Sequence, residues 1–214
     1  MHMKNQISKR FTILIGAVLL AVLNFANADT PMKPINYSDI KELLNVYALA
    51  DDMMDEKLIA AREALRSKGD EAVPALILLF KENPNDQYRA AIVDALQFNR
   101  GKKLAATAFL GEQLSTSAEQ WQGQIWVASA IRFIATSNPE LGRGVALKAL
   151  DAQSDFVKQS AIRSLAEVGT RQDTEKLRIF REQRKSLKQG PNDGLVTNVD
   201  AAIERITERS SSHK

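Results

Sequence analysis

Apolar positions recur with helical spacing through most of the chain. The first predicted helix, which Ser38 can cap, carries apolar residues at i, i+3, i+4 and i+7: Ile40, Leu43, Leu44 and Tyr47. No window keeps the two-residue alternation, or the runs of Val, Ile and Thr, that indicate strands. The pattern therefore predicts an all-α protein.

Helix boundaries are marked by residues that cap or break helices. Pro74 falls in a first turn, where a missing backbone N–H costs nothing, and Gly69 and Gly169 each follow a helical run. Together these signals predict nine further helices, at residues 55–69, 71–81, 87–98, 102–114, 117–135, 141–150, 155–168, 173–188 and 195–209.

Two stretches of the chain repeat earlier ones. Residues 160–166 overlay 129–135 at an offset of 31, and residues 157–165 overlay 88–96 at an offset of 69. Alanine and serine occupy positions where two helices would crowd, while Ile and Leu fill the seam between them. Because one helix pair has more apolar surface than it can bury alone, we expect the pairs to stack into a solenoid.

The repeated segment carries a family resemblance. Residues 155–169 (DFVKQSAIRSLAEVG) resemble the second helix of a HEAT repeat, and their short spacing is similar to the HEAT-like repeats of phycobilisome lyases. Asp86 and Arg89 match the same Asp-x-x-Arg/Lys start, and residues 73–76 resemble the first helix of the family. The resemblance covers roughly residues 71–188.

This resemblance implies a right-handed α-solenoid of antiparallel helix pairs, about four in number, in a single domain over residues 38–209. Residues 210–214 would form a disordered tail. The middle unit departs from the motif, because Gln124 and Val127 replace its aspartate and its basic residue, so a stacked Asp/Arg ladder should be interrupted there. Such repeats mostly serve as protein-binding surfaces, and the resemblance implies no reaction.

The N-terminal segment has the three parts of a secretory signal peptide. A basic start is followed by the apolar run 11–23, and Ala28 ends an Ala-Asn-Ala sequence of the kind that signal peptidase cleaves. Thirteen helical residues span only about 20 Å, which is short of a hydrocarbon core of about 30 Å. The sequence therefore predicts a signal peptide over 1–28, cleavage after Ala28, an extended lead-in over 29–37, and a periplasmic or secreted protein.

Cleavage would change the charge of the protein. The whole chain has 29 basic and 26 acidic residues, a net charge of +3, and the leader holds three of the basic residues and none of the acidic ones. The mature chain would be neutral, which removes the case for a nucleic-acid partner. Within it, residues 29–72 carry 6 basic and 10 acidic residues, whereas residues 140–189 carry 11 and 7.

The residue types that most enzymes require are scarce. The chain has no cysteine, and its two histidines, His2 and His213, lie at its ends. No phosphate-binding loop, dinucleotide-binding turn or nucleophile elbow is present, so we expect no catalytic residue, cofactor or metal. The acidic cluster at residues 51–56 leaves alternatives open. It could supply carboxylates for a small hydrolase or metal site, or it could be a solvated helix face or a helix start at which Asp55 and Glu56 favour the positive N-terminus.

Equivalent positions of the returning helices give candidate partner-binding residues. Asp94, Arg132 and Arg163 share one position of the repeat, and Arg89 and Lys158 share another. In a solenoid the second helices line the concave side, which makes these positions a candidate ligand surface. For Arg89 and Lys158, hydrogen bonding between repeats is an equal alternative, since each follows an aspartate at the start of its helix.

Two further features are candidates for contact with a partner or membrane. Trp121 falls among polar residues in a first helical turn and is expected to be exposed as a contact anchor, whereas Trp126 aligns with core positions. Four basic residues spaced 3, 4 and 3 apart form a basic stripe: Arg178, Arg181, Lys185 and Lys188. The stripe would face away from the apolar residues of its helix and could dock an acidic partner or anionic lipid head groups, or simply be solvated.

These observations favour an exported, non-catalytic adaptor or scaffold that binds a protein partner in the cell envelope. A peripheral membrane protein that docks through the basic stripe is the first alternative. A small α-helical enzyme, or enzyme subunit, that uses carboxylates near residues 51–56 is the second.

Overall fold

Every regular element that the computed structural model describes is helical. The description covers residues 37–48, 55–97, 103–121, 124–187 and 193–212. Within these ranges the chain forms ten α-helices and two short 3₁₀ helices, Gly69–Ala72 and Ala118–Trp121, and no strand. The α-helices are α1 (Tyr37–Ala48), α2 (Glu56–Lys68), α3 (Val73–Glu82), α4 (Asp86–Gln97), α5 (Lys103–Gln113), α6 (Ile125–Ser137), α7 (Pro139–Ala149), α8 (Asp155–Val168), α9 (Asp173–Ser186) and α10 (Gly194–Ser211).

All described residues belong to one compact unit, which extends over residues 36–214. The predicted signal peptide over 1–28 and nearly all of the predicted lead-in lie outside the described residues. Among the helices within that description, none combines the length and the apolar character that crossing a membrane requires.

The helices stack as successive pairs. Contacts join α1 to α4, α4 to α6, α6 to α8, and α8 to α10, so these five helices form one continuous layer, which we call the inner layer. A second helix packs against each later member of this layer: α3 on α4, α5 on α6, α7 on both α6 and α8, and α9 on α10. Because each pair contacts chiefly its neighbours, the protein is an α-solenoid, as the repeat pattern predicts.

Aromatic rings connect the first helix pairs. The Phe80 ring, fully buried on α3, meets Phe109 of α5 edge to face at 5.3 Å and Trp126 of α6 at 5.0 Å. Edge-to-face pairs of this kind stabilise a core beyond the area that they bury. The prediction that Trp126 belongs to the core is confirmed, since it is only 4% exposed.

The helix predicted over residues 117–135 is interrupted. Residues Ala118–Trp121 form a 3₁₀ turn, and α6 begins at Ile125. The turn buries the Trp121 ring, whose Nε1 donates a hydrogen bond to Thr116 Oγ1 at 3.2 Å. Burial of this large side chain favours the tighter turn over a continuous helix, a tertiary effect that the local sequence does not reveal.

Small residues allow α6 and α7 to approach closely. A Cβ atom added at Gly142 of α7 would overlap the backbone of Ala135 on α6. At Gly144, two residues further along α7 and on the opposite side of the helix, a Cβ would meet nothing within 4 Å. The two glycines therefore offer a test of the predicted close contact.

We expect Gly142→Ala to lower the free energy of unfolding by about 1–3 kcal/mol, because the methyl group forces two packed helices apart. Gly144→Ala should instead raise it by about 0.5–1 kcal/mol, since alanine is the better helix former and the site is open. Urea unfolding followed by circular dichroism measures both. Equal effects of the two substitutions would contradict the close packing of α6 on α7.

Candidate functional site

A groove opens on the inner layer between α6, α8 and α10. Its volume is about 570 Å³, within the range of about 300–1,000 Å³ that ligand pockets occupy. Six of its thirteen lining residues are alanine, valine or isoleucine. Five longer polar side chains rise from it: Arg132, Arg163, Glu167, Asn198 and Arg205.

The charges in this groove do not cancel. Arg205 Nη1 lies 2.6 Å from Glu167 Oε1, so these two side chains neutralise each other. Arg132 and Arg163 are exposed, and within the described part of the chain neither guanidinium forms a hydrogen bond or an ion pair. The groove therefore carries a net charge of about +2 from two unpaired cations. The repeat alignment makes Arg132 and Arg163 equivalent, and the structure places both in this one groove.

Asp94, at the same repeat position on α4, has a different environment. The Tyr47 hydroxyl of α1 donates a hydrogen bond to its carboxylate, and Arg62 of α2 lies 3.5 Å from it. Burial and the bond to Asp94 raise the pKa of Tyr47 well above its usual value. Asp94 thus ties α4 to the first helix pair, and of the three equivalent positions only those on α6 and α8 carry unpaired cations.

Arg89 and Lys158 contact their own helix pairs. Arg89 Nε donates to the carbonyl oxygen of Asn83 at 2.8 Å, and its guanidinium lies 4.7 Å from the centre of the Phe80 ring. Lys158 Nζ lies 3.6 Å from Asp155 on the same helix, and its side chain is only 16% exposed. Neither residue lines the groove, so the structure does not bring them together with Arg132 and Arg163.

The aspartates at the helix starts make the contacts between repeats. Asp86 Oδ2 accepts a hydrogen bond from the backbone N–H of Ile125, the first residue of α6, at 2.9 Å. Asp155 Oδ2 accepts from Arg184 Nη2 of α9 at 2.8 Å. Gln124, which replaces the aspartate in the middle unit, gives α6 no side-chain cap. Asp86, which belongs to the preceding repeat, accepts the hydrogen bond from the N-terminus of α6 in its place.

The prediction that Trp121 is exposed is wrong. The side chain is 2% exposed, and Lys148 Nζ lies 5.3 Å from the centre of its ring. A residue buried in this way stabilises the turn before α6 and offers no surface to a partner. Its polar neighbours in the sequence concealed this role, because the turn buries the ring while Gln120 beside it stays exposed.

The basic stripe is largely neutralised by the protein itself. Its three described members each lie beside a carboxylate: Arg178 with Glu175 at 3.6 Å, Arg181 with Asp200 at 2.7 Å and Glu182 at 2.9 Å, and Lys185 with Glu182 at 3.6 Å. Its fourth member, Lys188, lies outside the described residues. The stripe is therefore a set of ion pairs and not a free cationic surface over the described part of α9.

The apolar face of α9 is also narrower than predicted. Of the apolar residues from which the stripe was expected to turn away, only Phe180 is buried, while Ile179 and Leu187 are 51% and 62% exposed. The side chain buried in their place is Arg184, which is 8% exposed. Its Nε bonds Asp193 at 2.9 Å in addition to the contact with Asp155, and this hydrogen bond lowers the pKa of Asp193.

The acidic cluster is described only from Asp55 onwards. Asp55 Oδ1 accepts a hydrogen bond from the backbone N–H of Lys57 at 2.8 Å and so caps α2. The interpretation of Asp55 as a helix cap is confirmed, whereas residues 51–54 lie outside the described ranges. Over the ranges that are described, no group of three or more His, Cys, Asp or Glu residues could hold a metal ion.

Basic side chains cap the carboxyl ends of preceding helices by donating hydrogen bonds to their carbonyl oxygens. Lys148 Nζ donates to the carbonyl oxygens of Leu114 at 3.0 Å and Ser115 at 2.7 Å, just beyond α5. Lys176 Nζ donates in the same way to Leu147 at 2.8 Å in α7, and Arg209 to carbonyls at the end of α8. These contacts satisfy carbonyl groups that have no partner within their own helix and complement the helix dipole. No motif in the sequence signals them.

A buried carboxylate links α7 to α9. Asp173, 4% exposed, accepts hydrogen bonds from Arg143 Nε at 2.6 Å and Nη2 at 2.7 Å, and from the backbone N–H of Thr170 at 2.6 Å. Burial raises the pKa of Asp173, but these hydrogen bonds outweigh it and lower the pKa below the usual value. The charged form of Asp173 therefore stabilises the folded protein.

Comparisons with known proteins assign no family. No protein-family model matches the chain, and no curated protein matches it. Among solved structures, a designed armadillo repeat protein is 17% identical, with a TM-score of 0.44, over 83% of this chain and 96% of its own. The assignment of an α-solenoid follows from the packing of successive helix pairs.

We expect Asp173→Asn to lower the free energy of unfolding at pH 7 by about 1.5–3 kcal/mol, because the charged hydrogen bonds with Arg143 are lost. Since the folded state lowers the pKa of Asp173, its contribution is present above about pH 4 and disappears as the pH falls further. The difference from wild type should therefore shrink at about pH 3, as measured by urea unfolding at both pH values.

Asp151→Asn is the control for this prediction. Asp151 also pairs with a basic side chain, Lys176 at 3.3 Å, but is 68% exposed, so the change should stay within about 0.5 kcal/mol. An effect of Asp173→Asn that does not depend on pH would contradict the role assigned to the carboxylate.

Proposed function

We propose that this protein is an exported scaffold of the HEAT-like type that binds a protein partner in the cell envelope through the inner-layer groove. The observation that carries the proposal is the pair of unpaired guanidinium groups, on Arg132 and Arg163, in an open groove of about 570 Å³. Helical solenoids commonly bind other proteins along such a layer. Exposed cations held in a groove favour an acidic partner.

The chemistry of the groove supports binding over catalysis. Its lining includes one carboxylate, Glu167, and Arg205 already occupies it. General acid–base catalysis needs a group that can exchange a proton near neutral pH, and guanidinium groups remain protonated. The groove residues are therefore suited to hold an anionic ligand in place.

The two alternatives receive less support. Peripheral attachment to a membrane through the basic stripe would require Arg178, Arg181 and Lys185 to exchange their carboxylate partners for lipid head groups. Of the carboxylates in the cluster at residues 51–56, Asp55 is already engaged as the cap of α2. Within the described residues, Arg132 and Arg163 have no carboxylate partner to give up before they bind a ligand. We therefore favour the groove as the binding surface.

Export is the part of the proposal that depends on residues 1–28. We expect the protein in the envelope fraction to begin at Asp29, as N-terminal sequencing would determine, because Ala28 ends a cleavable signal peptide. Replacing Ala28 with arginine should block cleavage and retain the leader. Recovery of wild-type protein in that fraction with Met1 intact would contradict cleavage after Ala28.

The scaffold role is tested by crosslinking and affinity capture from the envelope fraction. The protein with Arg132→Gln and Arg163→Gln should lose a partner that wild type captures, because both groove cations are removed. The matched control carries Arg171→Gln and Arg178→Gln, which remove the same charge from exposed positions outside the groove. A partner held equally by all three proteins would show that the groove is not the binding surface, and capture of none by wild type would count against the scaffold role.

A further inference from the structure

We infer that the groove binds an extended peptide segment in which two carboxylate side chains lie two or three residues apart, one for Arg132 and one for Arg163. The inference deepens the proposed function, since it names the chemistry of the segment that the scaffold would recognise. It depends on the arrangement of four charged side chains and on the small residues beneath them.

The backbone positions of the two unpaired cations have a defined spacing, because their helices pack together. Arg132 lies on α6 and Arg163 on α8, at equivalent positions 31 residues apart in the repeat, and the two helices pack directly against each other. The axes of helices packed in this way lie about 8–10 Å apart. Each guanidinium presents a planar fork of donors that matches a carboxylate, so the groove offers two carboxylate sites about one helix spacing apart.

An extended peptide supplies carboxylates at this spacing. A strand rises about 3.3 Å per residue and places residues i and i+2 on one face, about 7 Å apart. A polyproline-type segment rises about 3.1 Å per residue and places i and i+3 on one face, about 9 Å apart. Arginine side chains are long enough to bridge the small difference between these carboxylate spacings and the spacing of the two helices. A helical ligand would bury a wide apolar face, for which this groove has no matching surface of large side chains.

The floor of the groove lets a peptide backbone come close. Ala135, Ala166, Ala201 and Ala202 contribute only methyl groups, and Ala135 and Ala202 are almost fully buried. Because the alanine side chains are short and the two arginine side chains are long, a peptide main chain has room between the guanidinium groups. Two separated cations above such a floor suit a chain with two charges better than a single phosphate, which would require the donors to converge on one point.

The ion pair between Glu167 and Arg205 provides two substitutions with opposite expected effects on peptide binding. Glu167 neutralises Arg205, so the groove has three cations and one anion. Glu167→Gln would free Arg205 and raise the net charge of the groove by one, whereas Arg205→Gln would free the Glu167 carboxylate and lower it by one. Binding of an acidic peptide should strengthen in the first variant and weaken in the second.

The experiment measures fluorescence anisotropy of labelled peptides with the purified protein at low ionic strength. The probe has two glutamates separated by one residue in an alanine and glycine background. A glutamine version controls for charge, and a version with six residues between the glutamates controls for spacing. We expect the first probe to bind, the glutamine version not to bind, and the widely spaced version to bind about tenfold more weakly.

Groove variants should then change binding in a fixed order. Arg132→Gln and Arg163→Gln should each weaken binding of the first probe by about tenfold, since each removes one charge-assisted contact. Arg171→Gln with Arg178→Gln should leave binding unchanged. Binding should weaken in Arg205→Gln and tighten several-fold in Glu167→Gln. Circular dichroism and urea midpoints show that each variant is folded.

Several results would overturn the inference. Equal affinity for the two spacings would show general attraction of anions. Displacement of the probe by inorganic phosphate at the same concentration as by the free peptide would indicate a simple anion site. Binding to vesicles that contain phosphatidylglycerol, lost on Arg132→Gln with Arg163→Gln, but no peptide binding, would indicate a lipid surface.

The outcomes also separate this inference from the proposed function. Capture of a partner that does not depend on the groove cations, without binding of the probe, would overturn the inference and leave the scaffold role. Spacing-dependent binding of the probe, without any captured partner in the envelope fraction, would support the groove chemistry and count against the scaffold role.

Discussion

The fold depends on hydrogen bonds that satisfy the ends of helices from the neighbouring repeat. An α-helix leaves its first N–H groups and its last C=O groups without partners, and a solenoid of short helices has many such ends. Here Asp86 accepts from the first N–H of α6, while Lys148, Lys176 and Arg209 donate to carbonyls at the ends of α5, α7 and α8. The ends of these four helices are therefore completed only when a neighbouring helix is in place, in addition to the apolar contacts between layers.

This use of charge explains why a protein rich in basic residues over its last repeats offers few free cations. Arginines of other helices form ion pairs with three aspartates, Asp155, Asp173 and Asp193. The described members of the basic stripe on α9 are also paired with carboxylates. Net charge over a segment therefore says little about its binding surface. The informative cations are Arg132 and Arg163, which have no partner within the described residues and lie in the same groove.

The sequence predicts the helices and their stacking well, because both follow from local periodicity and from repeats that can be aligned. The alignment also predicts that Arg132 and Arg163 are equivalent, and the structure brings them into one groove. The sequence pattern does not predict the burial of Trp121, which depends on a 3₁₀ turn. Nor does it predict the ion pairs of Arg184, whose partners lie 29 and 9 residues away. Pattern reasoning cannot recover contacts of this kind, since they depend on which loops meet after the helices have packed.

The two carboxylates held by Arg184 have a consequence for how the protein unfolds. In a linear array of repeats, the terminal unit can fray alone when its interface with the rest is weak. Arg184 of α9 binds Asp155 at the start of α8 and Asp193 just before α10, so releasing the last helix exposes a buried cation and loosens its neighbours. The final three helices should consequently open as one cooperative unit, with a shared protection against hydrogen exchange, and not one helix at a time.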